Sequence, residues 1–188
     1  MRVIAGSHGG RELAAPRGRA TRPTSERVRE ALFSILGDVG GVRVLDLFAG
    51  SGALAIEALS RGAGSATLVD RAAAPIAAMQ RNLAALAIEA EVVRRPALEF
   101  LRTARADARQ YDLVFLDPPY SQAVALGPRL TRALAPVLAA SGRVVAESDR
   151  RSPLALALDP LDPLDLLDER RYGDTLIRIY AAKTTPQR

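Results

Sequence analysis

The fold follows most directly from Val44-Leu45-Asp46-Leu47-Phe48-Ala49-Gly50-Ser51-Gly52, an apolar run that ends in a glycine-rich turn. Such a run predicts a buried parallel strand, and the turn predicts the start of a helix over residues 53–61. Glycines at this point let the backbone pass close to a ligand. Asp70 ends the next apolar run, where a carboxylate can accept both ribose hydroxyls of a nucleoside. The pattern therefore predicts a nucleoside-binding unit.

Two cofactor classes fit this unit. The spacing of Gly50, Gly52 and Ala55 matches the dinucleotide fingerprint. Asp46 argues for a different cofactor, because a pyrophosphate gains nothing from an added negative charge before the turn. The sulfonium and ammonium groups of S-adenosylmethionine would be attracted to it. A purely structural Asp46, which accepts hydrogen bonds from turn amides, remains an alternative.

The rest of the chain alternates strands with helices and ends in a hairpin. Alternation of this kind predicts βαβ units and a parallel, right-handed, doubly wound α/β sheet. Two runs joined by Tyr172-Gly173-Asp174 predict a C-terminal antiparallel hairpin. The predicted strands are 42–48, 66–69, 91–94, 111–116, 143–147, 164–171 and 175–182, and the later helices are one ending near 87, 98–105 and about 123–139.

The N-terminal part differs in composition from the rest. Residues 1–40 are predicted to form a basic, RNA-facing extension, and residues 41–188 the main domain. The extension comprises a small β-hairpin, a loop rich in arginine and proline, and a helix with Thr24 as the predicted N-cap. The helix is indicated by Val28, Leu32, Ile35 and Leu36, which recur at helical spacing.

A second constellation, Asp117-Pro118-Pro119-Tyr120, directly follows the apolar run 113–116. The carboxyl end of a parallel strand is where ligands bind in open α/β sheets. Two prolines stiffen the turn and donate no N–H, so its backbone offers carbonyl groups. One carboxylate, these carbonyls and an aromatic face suit a flat molecule that carries an NH2 group.

The predicted strand order brings the two constellations together. With an order of 3-2-1-4-5, the strand before Asp117 lies next to the strand of Asp46, and both loops open at the same edge. Asp117 and the Pro118 carbonyl would then accept the amine hydrogens, localise the nitrogen lone pair and hold it in line for methyl transfer. The predicted catalytic residues are Asp117, Pro118, Pro119 and Tyr120.

Composition narrows the class of protein. The chain has 188 residues, a formal charge of +5 and no cysteine, which excludes disulfides and thiolate metal sites. No metal-ligand spacing occurs, and there is no apolar run long enough to span a membrane. We therefore expect a cytoplasmic protein, without a membrane segment or metal, and monomeric.

Arginine supplies almost all of the positive charge, since Lys183 is the only lysine. Arginine suits bidentate phosphate contact and stacking on bases, although a GC-rich genome also favours it. One interpretation is that the N-terminal arginines bind RNA phosphates; the other is a capped amphipathic helix with a solvated charged face. The predicted RNA-binding residues are Arg17, Arg19, Arg22 and Arg27.

Together these residues resemble the RsmD-type methyltransferases, which methylate the exocyclic N2 of a guanine in bacterial 16S ribosomal RNA with S-adenosylmethionine. The resemblance covers nearly the whole chain. Besides the two constellations it includes the segments 2–6, 21–33, 57–62 and 172–175. The stretch Thr21-Arg22-Pro23-Thr24 is its most specific part, because many amino-methyltransferases share the other motifs.

The resemblance implies a class I, Rossmann-like methyltransferase fold with a seven-stranded sheet, S-adenosyl-L-methionine as cofactor, and 16S rRNA in the small ribosomal subunit as partner. It implies that Asp46, Gly50 and Gly52 line the methionine end of the cofactor, Asp70 holds its ribose, and Asp117–Tyr120 hold the guanine. The predicted cofactor-binding residues are Asp46, Phe48, Ala49, Gly50, Ser51, Gly52, Asp70, Arg71, Ala97 and Leu98.

One position departs from the family pattern. Pro96 stands where family members carry Asn or Asp, so no polar side chain reaches the adenine amine from there. Backbone and apolar contacts from Ala97 and Leu98 would have to replace it.

Three other functions fit part of the pattern. A DNA adenine-N6 methyltransferase uses the same acceptor motif, but it normally needs a target-recognition segment. A NAD-linked oxidoreductase would use the glycine fingerprint. A non-catalytic RNA-binding assembly factor would have no need for an intact Asp-Pro-Pro-Tyr motif.

Overall fold

The computed structural model of this protein describes residues 1–16, 25–156 and 164–183. Within them the strands make up a seven-stranded mixed sheet. The chain divides into two compact units, Met1–Pro96 and Ala97–Arg188. The predicted boundary after residue 40 stays a prediction, because compactness does not show which residues face a nucleic acid.

The first unit alternates helices with parallel strands. Its strands are ordered β3-β2-β1, and Val44 lies opposite Ala66 in the register of the central pair. All residues of β1 after Arg43 are buried, as expected for a strand with an apolar sequence. The elements are α1 (Glu26–Leu36), β1 (Arg43–Leu47), α2 (Ala53–Ser60), β2 (Ser65–Asp70), α3 (Ala73–Leu86) and β3 (Glu91–Arg94).

The helix α1 begins one residue later than predicted. Ser25, not Thr24, is the N-cap, and its side chain accepts a hydrogen bond from the backbone N–H of Val28. The backbone of Ser25 is extended, which lets the hydroxyl reach that amide. The predicted apolar face is present, with Leu32 fully buried, but Ile35 lies at its margin and is 36% exposed.

The predicted N-terminal hairpin is present as a single antiparallel bridge between Arg2 and Glu12. Its tip lies against the C-terminal end of α2, where the N–H of Ser7 donates to the carbonyl of Ser60 at 2.8 Å. Gly6 has a φ of +83°, and a Cβ there would lie 1.7 Å from the Ser60 carbonyl oxygen. Only glycine fits this approach of the hairpin to the helix.

One buried carboxylate joins the hairpin to both helices. Glu57 of α2 accepts hydrogen bonds from the backbone N–H of Ile4 at 2.7 Å and of Ala5 at 3.0 Å. Its side chain also pairs with Arg61 at 2.7 Å and lies 3.7 Å from Nε of Arg29 on α1. Glu57 and Arg29 are both fully buried. Removal of one partner would leave the other charge buried without compensation, so this network is expected to be costly to break.

The second unit carries the predicted C-terminal hairpin. In it β4 and β5 pair in parallel, and β5–β7 and β7–β6 pair antiparallel. The chain leaves α5 earlier than predicted: a 3-10 turn at Ala135–Val137 contains Pro136, which cannot continue the helical hydrogen bonds. The elements are α4 (Ala97–Ala106), β4 (Tyr111–Leu116), α5 (Tyr120–Leu134), β5 (Leu138–Asp149), β6 (Leu164–Tyr172) and β7 (Thr175–Ala182).

The segment after β5 fixes the position of α5. A Cβ on Gly127 would lie 2.3 Å from the carbonyl oxygen of Ala155. The buried hydroxyl of Thr131 donates to the carbonyl of Leu156 at 2.6 Å, and the N–H of Leu156 donates to the Tyr180 hydroxyl at 3.3 Å. These contacts hold the helix that starts directly after the Asp-Pro-Pro motif.

Candidate functional site

Asp46 has the structural role that the sequence allowed for it, and its contact with a cofactor stays a prediction. Its side chain is 2% exposed, and Oδ2 accepts a hydrogen bond from the N–H of Ala55 at 3.2 Å. Ala55 lies in the first turn of α2, whose N-cap Gly52 supplies no side-chain cap, so the carboxyl group of the strand satisfies an open helix amide. Burial raises the pKa of Asp46 to about 7; the Ala55 hydrogen bond opposes this shift, and the negative charge of Asp70 adds to it.

The glycine turn between β1 and α2 is tightly closed. The N–H of Gly52 donates to the carbonyl of Ala49 at 2.7 Å. A Cβ on Gly52, where φ is +78°, would lie 2.7 Å from Cδ2 of Leu68. Phe48 also has a positive φ of 66°, which is uncommon for a bulky residue and typical of a functional turn. The sequence therefore builds a strained, close-packed turn where the cofactor residues are predicted.

Asp70 lies at this same turn, although it comes from the neighbouring strand. Its Oδ2 accepts a hydrogen bond from the N–H of Gly50 at 3.3 Å, and its Oδ1 accepts one from the N–H of Ala72 at 2.9 Å. Asp70 is half-buried and Arg71 beside it is exposed. Because each carboxylate oxygen has further lone pairs, Asp70 can accept hydroxyl groups while it keeps these bonds.

The donor and acceptor set of the first unit fits S-adenosylmethionine. A half-buried carboxylate beside a glycine turn suits a ribose. A buried carboxyl group whose pKa is raised to about 7 would gain a counter-ion from a bound sulfonium or ammonium group. A negatively charged pyrophosphate at this turn would instead be repelled by the carboxylates of Asp46 and Asp70.

The remaining predicted cofactor residues start the second unit. Ala97, buried, and Leu98, half-buried, are the first two residues of α4. Pro96 before them is exposed and has no side-chain polar group. The contact of these residues with adenine stays a prediction.

The acceptor motif sits where the sequence predicted, between β4 and α5. Asp117 is half-buried, Pro118 is buried, and Pro119 is the N-cap residue of α5. The carbonyl of Pro119 accepts a hydrogen bond from the N–H of Gln122 at 2.8 Å, so it serves the helix start. Tyr120 is the first residue of α5, and its stacking role stays a prediction.

A second acid, which was not among the predicted residues, lies in this region. Leu116 is the register partner of Ala146, so Asp117 and Glu147 are the next residues on two neighbouring parallel strands. Glu147 is 4% exposed. The signal was available, because Glu147 directly follows the apolar residues Val144-Val145-Ala146, just as Asp70 and Asp117 end apolar runs.

Two buried polar residues of the first unit were also missed. Glu57 organises the N-terminal hairpin, and Asn82 of α3, 3% exposed, bonds to the glycine turn. Each occurs in the middle of an apolar or alanine-rich helix. A polar side chain on the buried face of such a helix indicates a specific backbone partner, but not which one.

The predicted RNA-binding arginines are only partly described. Arg17, Arg19 and Arg22 lie outside the described residues, and Arg27 is exposed on α1. Among the other N-terminal arginines, Arg29 is fully buried and Arg2 pairs with Glu26 at 2.9 Å. The basic N-terminus therefore serves the fold as well as any partner.

The described part of the chain contains neither a membrane-spanning helix nor a cluster of acids and histidine that could hold a metal. None of its helices is both long enough and apolar enough to cross a membrane. Across residues 1–16, 25–156 and 164–183, no three His, Asp or Glu side chains come together as a group that could hold a metal ion.

A family model described as "Conserved hypothetical protein 95" matches residues 1–181. The chain belongs to this family. As a member of the conserved hypothetical protein 95 family, it is 38% identical over 183 residues to "Putative rRNA methyltransferase YlbH" of Bacillus subtilis, which covers 96% of this chain and 98% of that protein. It is 43% identical over 122 residues to "Ribosomal RNA small subunit methyltransferase D" of Escherichia coli, but this alignment covers only 64% of the chain and 60% of the relative.

Among solved structures, the chain matches "Putative methyltransferase yhhF from Escherichia coli" with a TM-score of 0.82 and 32% identity, over 98% of this chain and 99% of that one. The matches confirm the resemblance to RsmD-type methyltransferases. They also confirm the class I, Rossmann-like methyltransferase fold of this family member, with its seven-stranded sheet and C-terminal antiparallel hairpin.

Proposed function

We propose that this chain transfers a methyl group from S-adenosylmethionine to the exocyclic N2 of a guanine in bacterial 16S ribosomal RNA, within an assembled small-subunit particle. The observation that carries the proposal is the similarity across 96% of the chain to a protein named as an rRNA methyltransferase. We propose further that the chain acts as a monomer in the cytoplasm, where small subunits are assembled.

The cofactor would be held mainly by residues of the first unit. Asp46, Phe48, Ala49, Gly50, Ser51 and Gly52 supply the turn, Asp70 accepts the ribose hydroxyls, and Arg71, Ala97 and Leu98 complete the predicted set. When bound, the cofactor supplies an electrophilic methyl group on a positively charged sulfur. The buried carboxyl of Asp46 favours that charge over the pyrophosphate of a dinucleotide, and this supports the proposal over a NAD-linked oxidoreductase.

The guanine amine would be held by Asp117, Pro118, Pro119 and Tyr120. Asp117 and the Pro118 carbonyl accept its two hydrogens, which localises the lone pair and orients the nitrogen for attack. Since the Pro119 carbonyl already accepts from Gln122, the Pro118 carbonyl is the acceptor we assign. Asp117 need not be a strong base, because the methylated amine is acidic and loses its proton afterwards.

The direct test is transfer of labelled methyl groups to small-subunit particles that lack the modification. We expect Asp117→Ala to lower the rate at least about 100-fold, the size of effect that follows loss of one preorganised hydrogen-bonding group from a catalytic site. Asp107→Ala, which removes an exposed acid of the same unit, is the control and should keep the wild-type rate. Equal labelling by wild type and Asp117→Ala would contradict the mechanism.

Methyl transfer to other substrates, together with binding measurements, separates the alternative functions. Label that enters DNA but not ribosomal particles would indicate an adenine-N6 methyltransferase. Calorimetric binding of NADH but not of S-adenosylhomocysteine would indicate an oxidoreductase. Binding of RNA without turnover on any of these substrates would indicate an assembly factor.

A further inference from the structure

Two arginines that belong to none of the predicted sites, Arg94 and Arg95, lie beside the predicted ribose acceptor Asp70. Arg94 is the last residue of β3 and the register partner of Asp70 at the end of β2. Neighbouring strands are about 4.8 Å apart, so Arg94 starts one strand spacing from Asp70. The N–H of Arg95 donates to the carbonyl of Asp70 at 3.0 Å. Both arginines therefore belong to the edge of this unit where ligands of parallel sheets bind.

A third arginine, Arg71, adds to the positive charge at this edge. It directly follows Asp70, and its carbonyl accepts a hydrogen bond from Nε of Arg94 at 3.5 Å. This bond uses only Nε, so the two terminal nitrogens of Arg94 can still bind an oxyanion. Arg71, Arg94 and Arg95 are all exposed. Three guanidinium groups are thus gathered at the ends of two neighbouring strands.

The two acids of these strands are engaged elsewhere. The carboxylate oxygens of Asp70 accept hydrogen bonds from two backbone amides at the glycine turn and at the start of α3. Glu91 accepts one from the Thr67 hydroxyl at 3.0 Å. Glu91 is the first residue of β3, three residues and therefore about 10 Å from Arg94 along the strand. The arginine cluster thus keeps a local excess of positive charge.

S-adenosylmethionine does not account for this charge, because it carries no phosphate and its sulfonium and ammonium groups are themselves positive. RNA carries a phosphate at every nucleotide, and arginine binds phosphate in a bidentate way. Methyl transfer requires the target base to reach the cofactor, which brings the RNA backbone to the same neighbourhood. We propose that Arg94 and Arg95, next to Arg71, form a phosphate-binding surface that holds the RNA backbone beside the cofactor site. The inference rests on the proposed function, from which it takes the RNA.

The test measures binding of a 16S rRNA transcript to the full chain by fluorescence anisotropy at several salt concentrations. The double variant Arg94→Ala/Arg95→Ala should reduce the slope of log K against log salt by about 1.4–1.8, since each phosphate contact contributes about 0.7–0.9. Arg94→Lys/Arg95→Lys keeps both charges and should keep most of the slope. In methyl transfer to small-subunit particles, the alanine variant should raise KM and leave kcat within about twofold, because a contact to the RNA backbone stabilises ground state and transition state equally.

The matched control, Arg43→Ala/Arg81→Ala, removes the same charge from the first residue of β1 and from the exposed side of α3, and should keep the wild-type slope. Calorimetry with S-adenosylhomocysteine should give the same affinity for wild type and the alanine variant, which also shows that the variant is folded.

An unchanged slope in the alanine variant, or an equal loss of slope in the control, would overturn the inference. So would NADPH binding that wild type shows and the alanine variant loses, because the cluster would then bind a 2′-phosphate. If wild type transfers methyl groups to the particles while the alanine variant keeps its slope, only this inference fails. If wild type transfers none, the proposed function fails and this inference with it.

Discussion

Asp46 shows how one side chain serves the fold and the proposed chemistry together. The sequence placed an acid inside a buried strand before a glycine turn, and left open whether it meets a ligand or the backbone. In the structure it bonds the Ala55 amide and is almost fully buried. The position was predictable from the pattern, whereas the raised pKa depends on burial by residues far away in the chain.

The pKa of Asp46 gives a prediction about pH and stability. The pKa of Asp46 is about 7 in the folded chain, against 3.8 for an ordinary aspartate, so between these two values the folded chain holds a proton that the unfolded chain has released. The stabilising contribution of the neutral carboxyl group is therefore present below about pH 4 and is lost as the pH rises through 7.

We expect urea unfolding to show this as a difference between wild type and Asp46→Asn. The stability of wild type relative to the variant should fall between about pH 4 and about pH 7, by at most about 4 kcal/mol. Asn keeps an oxygen that can accept from Ala55 but does not titrate. A difference that is flat across this range would show that Asp46 is ionised throughout in the folded chain.

Residues at strand ends were easier to predict than buried polar residues that bind distant backbone groups. Asp70 and Asp117 were predicted as site residues because an acid after an apolar strand is a local pattern. Glu147 follows the same pattern and could have been found by it. Asn82 could not, because its partners Ala14 and Ser51 are 68 and 31 residues away and contribute only backbone atoms.

Among the elements, the N-terminal hairpin depends on a surface that its own sequence does not reveal. Alternating residues around a glycine-rich turn predicted the hairpin. Its docking is decided by Glu57, which accepts two backbone amides of the hairpin, and by Gly6, which touches Ser60. The apolar helix α2 therefore carries one acid that organises a neighbouring element.

Gly6→Ala tests this docking. A Cβ at Gly6 would lie 1.7 Å from the Ser60 carbonyl oxygen, whereas one at Gly10, with nearly the same φ, would meet nothing within 4 Å. We expect Gly10→Ala to cost about 1–2 kcal/mol from backbone conformation alone. Gly6→Ala should cost a further 1–3 kcal/mol or so from overpacking.

Urea unfolding of the two variants measures the difference between them. If both lose the same free energy of unfolding, the hairpin tip does not depend on close contact with the end of α2.

For the molecule as a whole, the excess of positive charge has two uses. The net charge of +5 comes almost entirely from arginine. The Arg29 side chain is buried beside Glu57, where RNA cannot reach it, and Arg2 forms an ion pair with Glu26. The number of N-terminal arginines in the sequence therefore overstates the positive charge that is available to RNA phosphates. Only the exposed arginines contribute to the electrostatic attraction between this segment and RNA.

The salt dependence of RNA binding tests this assignment. Each lost phosphate contact should lower the slope of log K against log salt by roughly 0.7–0.9. Replacement of Arg17, Arg19, Arg22 and Arg27 by alanine should then reduce the slope by up to about 3.6, as measured by fluorescence anisotropy on a 16S rRNA transcript.

A control removes the same charge from another surface. Arg102, Arg105, Arg129 and Arg132 are exposed on α4 and α5, and their replacement by alanine should leave most of the slope intact. An equal reduction in both variants would mean that net charge alone, and not the N-terminal segment, attracts the RNA.

Local patterns in the chain were sufficient for the α/β class, the parallel strands, the C-terminal hairpin and the acids at the strand ends. The patterns that are typical of strands and turns extend over only a few residues, so they can be recognised from the sequence alone. Folding added the contacts that join distant segments: Asn82 to Ala14 and Ser51, and Glu57 to the hairpin. Such contacts, and the pKa of a buried acid such as Asp46, depend on which backbone groups and apolar surfaces packing brings together, and no local pattern encodes that.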